Sequence, residues 1–188
     1  NTLSTVQKPK GKNVGFEYRS QIRPSTGTPD EKESYQITRP LMDGLWLDEE
    51  TIPGFRDASL SFESRCHDVA MRVLEFFAVK LGFERDYFTK VHDPASPEHQ
   101  CTLRMIQAWT PVPAFTDILT CNIGDMLMRW SDDRLKSNFH RVKAADTGVD
   151  IPERYSMPYF AQADRTAVIQ GPEHKYEPMT AGDYLDMR

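Results

Sequence analysis

Apolar residues recur between Ser59 and Leu81 at Phe62, Cys66, Val69, Val73, Phe77 and Leu81. Steps of three and four put them on one stripe of a helix, which predicts an amphipathic helix packed on a sheet. Ser59 or Ser61 is placed to cap its start, and Gly82 suits the position just past its end. Glu84 to Phe88 reads as a second short helix. Ahead of the helix, residues 1–35 are polar and broken by Pro9, Gly11, Gly15, Pro24, Gly27 and Pro29. They read as loops with one short strand near Gly15–Arg19. Residues 36–56 read as irregular, with Pro40, Gly44, Pro53 and Gly54 as breakers, and residues 92–100 as a loop. Beyond them the period changes. Thr102–Ile106, Phe115–Ile123 and Tyr155–Ala161 hold β-branched and aromatic residues between turn signals, as strands do. A helix followed by short strands predicts an α+β fold. No internal repeat or low-complexity tract interrupts it.

Composition narrows the class. With 39% apolar and 27% charged residues over 188 positions, the chain has the balance of a globular domain rather than a disordered one. Net charge is −5, and Lys and Arg are scattered, which argues against a nucleic-acid partner. The small cluster Lys8, Lys10 and Lys12 reads as a solvated loop. Cys66, Cys101 and Cys121 are too few and too odd for a disulfide framework, and no C-x-x-C pair suggests a zinc ribbon. That usage points to a reducing, cytoplasmic compartment. No apolar run reaches membrane-spanning length, so no membrane partner is expected. The polar start carries no secretory signal pattern, and residue 1 is not Met, so it need not be the biological start.

Two segments hold candidate chemistry. Asn122, Gly124 and Asp125 read as a tight turn, and Asp132-Asp133 as another between two short strands, with His140 following. A lone histidine is more often structural than a ligand. Further on, Arg154-Tyr155-Ser156 in a strand would put Arg154 and Ser156 on one face. A guanidinium fork beside a hydroxyl can clamp a carboxylate. A surface ion pair is the competing reading of Arg154.

Order and spacing together say more. The chain carries Asn122-Ile-Gly-Asp125, Trp130-Ser-Asp-Asp133, Lys136-Ser-Asn-Phe-His-Arg-Val142 and Arg154-Tyr-Ser-Met-Pro-Tyr-Phe160, and it closes on Lys175-Tyr-Glu-Pro-Met-Thr-Ala-Gly-Asp-Tyr-Leu185. This series resembles the isopenicillin N synthase-like branch of the Fe(II)/2-oxoglutarate-dependent dioxygenases. Asp132 stands where that pattern usually has Asn, and Asp133 where many members have Gly. Both replacements tolerate turn conformations. The resemblance covers about residues 57–188. It implies a double-stranded β-helix (jelly-roll) core with flanking helices in a single domain. Residues 1–56 would be loop-rich, 57–90 packing helices, 101–170 jelly-roll strands and 171–188 the C-terminal segment.

The resemblance also implies roles. His140 would ligate Fe(2+), and Arg154 and Ser156 would bind the distal carboxylate of the cosubstrate 2-oxoglutarate. O2 and a small organic molecule would complete the reaction, an oxygenation that releases succinate and CO2, as in members that hydroxylate pyrimidines or tailor secondary metabolites. A facial 2-His-1-carboxylate site leaves positions open for such chemistry. Met157 and Phe160 read as core rather than pocket lining. The family's other two iron ligands come from an H-x-D motif, and the chain has none. His67-Asp68 and His92-Asp93 have the wrong spacing. His67 on the helix, and His92, His99 and His174 in loops, are read as non-ligands. The departure is located: the chain passes from Leu103-Arg-Met-Ile-Gln107 directly to Ala108-Trp109-Thr-Pro-Val-Pro113, where the family inserts several strands, and the family's opening strands are missing as well. Two explanations follow. In one, the intervening strands and the H-x-D belong to the protein but lie outside the 188 residues. This is the favoured reading, because a jelly roll stripped of central strands would expose unpaired edges. In the other, the alternative, the chain is truly shortened, a catalytically inactive jelly roll that binds an organic acid, with a plain interaction domain third.

Overall fold

The computed structural model describes residues 6–7, 14–18, 27, 32–108, 119–138 and 154–187. Its main sheet is antiparallel and holds β1 (Gly15–Tyr18), β2 (Lys32–Ile37), β3 (Thr102–Ala108), β4 (Arg154–Ser156) and β5 (Tyr159–Phe160). Strand β3 is central. Along one edge it pairs with β2, and along the other with β4 at Ile106–Ala108 and with β5 at Thr102–Leu103. The strand expected near Gly15 is present. β2 is unexpected; it runs across a stretch that reads as loop and irregular chain. Its alternation of Tyr35 and Ile37 with Ser34 and Gln36 is a period-two signal hidden by the nearby breakers.

The register sorts the side chains. Phe16 faces Tyr35, Tyr35 faces Met105, Ile37 faces Leu103, and Leu103 faces Tyr159. These residues share one apolar face. Val14, Tyr35, Ile37 and Leu103 are buried there with Met42 and Leu45 from the following turns. The other face carries Glu17, Ser34, Gln36 and Arg104, and the pairing of Ile106 with Ser156 adds Ser156 to it.

Helix α1 (Phe55–Leu81) is the longest element. It starts earlier than Ser59, with Gly54 at a positive φ of 71° as its N-cap. It stops at Gly82, as the sequence predicts. Gly82 takes a φ of 89°, and the next N–H, of Phe83, closes on the Ala78 carbonyl at 2.9 Å. The buried stripe differs from the expected one. It runs through Ser59, Glu63, His67, Leu74, Ala78 and Leu81, while Phe62 and Val69 stay more than a third exposed. The C-terminal half of α1 packs with Phe88, Trp130, Ile169, Ala181 and Tyr184. Its N-terminal half covers polar groups, described below.

Several short elements also depart from expectation. Residues 84–88 form turns and lead into a single 3-10 turn at Thr89–Val91, rather than a second helix. Phe88 is nonetheless fully buried, its ring edge-on to Trp130 at 4.9 Å. The segment read as a tight turn at Asn122–Asp125 leads into a helix instead: Gly124 is the N-cap of α2 (Asp125–Trp130). Of the strand expected over 115–123, residues 119–123 are irregular, and the rest lies outside the described residues. The strand expected over 155–161 is split into β4 and β5 by Met157-Pro158. Proline cannot donate to a ladder, but the Pro158 carbonyl still accepts the Arg104 N–H at 3.0 Å. A two-stranded ladder, β6 (Val168–Ile169) with β7 (Met179–Thr180), leads into α3 (Ala181–Asp186), capped by the Thr180 hydroxyl on the Asp183 N–H.

Candidate functional site

Ser156 lies half-buried on β4, opposite Ile106. Arg154 stands two positions earlier, opposite Ala108, and is described only through its backbone. His140 lies outside the described residues. The sheet face that holds Ser156 is lined by charge. Arg104 donates from Nη2 to Glu17 Oε1 at 2.7 Å, and the same oxygen accepts the Ser34 hydroxyl at 2.8 Å. Glu17 is 3% exposed, so this pair fixes the charge pattern of the face close to Ser156. Sequence reasoning misses it, because Glu17 and Arg104 are joined only through β2.

The Asp132-Asp133 turn is present, after a helix rather than between strands. Both residues have positive φ, 51° and 63°, which Asp tolerates better than most residues. Their carboxylates hold the C-terminal segment. Asp132 accepts the backbone N–H of Glu173 at 2.6 Å and of Lys175 at 3.1 Å. Asp133 takes the Lys175 ammonium at 2.5 Å and the Tyr176 hydroxyl at 2.8 Å, and these bonds hold its carboxyl below the usual range. The Trp-Ser-Asp-Asp and Lys-Tyr motifs thus occur together because they touch.

On the opposite face, α1 buries a polar network. Glu63, 1% exposed, accepts two guanidinium N–H groups of Arg39, one of them from Nε at 2.7 Å. His67 Nδ1 and the Tyr159 hydroxyl are 2.9 Å apart. His99 and Cys101 lie beside them, and burial pushes the Cys101 thiol up to about 11. Burial also lowers His67, His99 and His92, the last to about 4.

A cleft of about 790 Å³ opens along α1. Phe62, Cys66 and Val69 line it with Met126 and the 157–160 segment. Much of the predicted apolar stripe faces this cleft. Met157 and Phe160, expected in the core, are 54% and 43% exposed at its edge, because the break at Pro158 turns them outward.

Comparison with known proteins follows the same lines. Residues 83–163 match the family model of the 2OG-Fe(II) oxygenase superfamily. The matched segment, less than half of the chain, resembles this superfamily. It is 27% identical to proline hydroxylase buaE of Petromyces alliaceus, over 93% of this chain and 72% of that protein. It is 26% identical to the 2-oxoglutarate-Fe(II) type oxidoreductase ppzD of Metarhizium majus, over 77% of this chain and 56% of that protein. The chain thus spans between about half and three quarters of these relatives' lengths. Its alignment with the first runs to 233 positions, more than the 188 residues present, so that relative holds stretches with no counterpart here. Among solved structures, a full-length Neurospora crassa protein in complex with alpha-KG superposes with a TM-score of 0.78 at 24% identity, over all of this chain and 76% of that one. The fold is therefore that of this oxygenase group, an α+β jelly roll.

The iron set fits this chain only in part. No H-x-D occurs in the sequence. Among the described residues, the one His/Cys/acid group able to hold a metal is His67, His99 and Cys101. None of its members is a carboxylate, and it sits under α1 on the sheet face opposite Ser156. It is not a facial 2-His-1-carboxylate iron centre. The expectation that His140 is a ligand rests on its motif alone.

Proposed function

We propose that the protein is an Fe(II)- and 2-oxoglutarate-dependent dioxygenase that oxygenates a small organic molecule and releases succinate and CO2. The single observation that carries this reading is the placement of the Arg-Tyr-Ser strand. β4 pairs with β3 so that Ser156 lies on the charged sheet face, away from α1. Arg154 and Ser156 would take the distal carboxylate of 2-oxoglutarate, the fork by two parallel bonds and the hydroxyl by a third. His140 would supply one iron ligand. Substrate class follows the relatives by analogy. One is named for proline hydroxylation, and the Neurospora crassa protein has been solved with thymine and with 5-formyluracil. A role in secondary metabolism and a cytoplasmic setting belong to the same proposal; the sparse, unpaired cysteines support the latter.

The missing H-x-D favours a second reading, a jelly roll that keeps the clamp and binds an organic acid without turnover. Succinate formation from 2-oxoglutarate with Fe(II) and O2 separates the two. The first reading expects turnover, even uncoupled from substrate, that is lost in His140→Ala. Bound 2-oxoglutarate with no succinate supports the second. Turnover that survives His140→Ala overturns the ligand assignment.

A further inference from the structure

The buried middle of α1 is polar where a helix packed on an apolar sheet face is ordinarily aliphatic. His67 from α1, His99 from the preceding loop of β3, and Cys101 one residue before β3 bring their donor atoms within 4.8 Å of one another. His99 and Cys101 are 2% and 1% exposed. A second observation singles out His99. Neither of its ring nitrogens makes a hydrogen bond, although the side chain is sealed from solvent. The Asp164 carboxylate stands 3.7 Å from Nδ1, beyond hydrogen-bond length, and the Asp93 backbone acts on the ring electrostatically. Leaving a buried polar group in that state is costly, unless a ligand takes up its lone pair.

We propose that His67, His99 and Cys101 form a three-ligand Zn(II) site that pins α1 to the sheet, with water in the fourth position, separate from the iron chemistry. Two imidazoles and one thiolate with no carboxylate are a borderline-soft set that suits zinc rather than a facial iron centre. Zn–N of about 2.0 Å and Zn–S of about 2.3 Å hold tetrahedral donors roughly 3.3–3.8 Å apart, so donors that start within 4.8 Å of one another draw together on binding. The Tyr159 hydroxyl beside His67 and the Asp164 carboxylate beside His99 stand where partners that orient metal-bound histidines are found. Binding forms the Zn–S bond and releases the Cys101 proton to solvent. The sheet itself separates the site from Ser156, and the proposal does not depend on the dioxygenase reading.

The test uses the intact protein, stripped of metal by a chelator and titrated with Co(II). A thiolate-to-cobalt charge-transfer band should grow to one equivalent and disappear on adding Zn(II). The family's iron site offers no sulfur and cannot produce this band. It should be abolished in Cys101→Ser, kept in Cys66→Ser and Cys121→Ser, and His99→Gln should weaken binding at least tenfold. If Cys101→Ser does not fold, zinc-edge X-ray absorption of the zinc-loaded unmutated protein answers the question, with one sulfur expected among the atoms bound to zinc. No thiolate band in the unmutated protein, a band that persists in Cys101→Ser, or zinc bound by nitrogen and oxygen alone would overturn the proposal.

Discussion

His67 on α1 and Tyr159 on β5, 92 positions apart in the chain, meet ring nitrogen to hydroxyl at 2.9 Å beneath the helix. This bond ties α1 to the central sheet where His67 is buried and Tyr159 half-buried. Tyr159→Phe keeps the ring and removes only the hydroxyl. It should destabilise the metal-free protein by about 1–3 kcal/mol, because His67 Nδ1 is left without its partner. Urea unfolding at pH 7 measures this; an unchanged midpoint would show that the contact contributes nothing.

The Asp132 carboxylate and Gly171 are equally interdependent. A Cβ built at Gly171 would fall 2.2 Å from Asp132 Oδ2, so Gly171→Ala must push the carboxylate off the two backbone N–H groups it holds. Asp132→Ala loses the same bonds. Each single substitution should cost about 2–4 kcal/mol, and the double substitution little more than either alone, since the lost interaction is shared. Additive costs in a double-mutant cycle would refute the coupling.

Acid should loosen the fold before its carboxylates titrate. His92 is buried, and its Nδ1–H donates to the Phe88 carbonyl at 2.7 Å. Burial, reinforced by the nearby His67 and His99, pushes its pKa down to about 4 from 6.5. The folded value lies below the unfolded one, so the neutral ring's contribution is fully present above about pH 6.5. It is lost as pH falls toward 4, on the order of 3 kcal/mol in all. His67 and His99 act in the same sense. Asp164, whose carboxyl burial raises, opposes them. Unfolding midpoints at pH 7 and pH 4.5 should differ, and His92→Leu should flatten the difference. A flat profile in the unmutated protein would contradict the assignment.

Some of this is legible in the sequence, and the rest is hidden for physical reasons. Gly82 marks the end of α1 because a left-handed cap needs a residue without Cβ. The Asp132-Asp133 turn and the closing Lys-Tyr segment are recognisable as motifs, and the structure shows the contacts between them. The buried face of α1 is misread because apolar periodicity cannot anticipate a helix that buries Glu63 and His67. The network around His99 and Cys101 leaves one weak trace, two potential ligands two residues apart in extended chain, and His67 joins them only through the fold. β2 is lost among neighbouring prolines and glycines. His140 rests on its motif, and Arg154 on its motif and backbone pairing.

The most direct test of the Arg154–Ser156 clamp, on which the oxygenase reading rests, is 2-oxoglutarate binding to the unmutated protein and to Arg154→Ala, followed by calorimetry at fixed ionic strength. Clear binding is expected, falling at least tenfold when the fork is removed and less in Ser156→Ala, consistent with about 1.5–3 kcal/mol for hydrogen bonds to a charged group. Equal affinity in the unmutated protein and Arg154→Ala would contradict it.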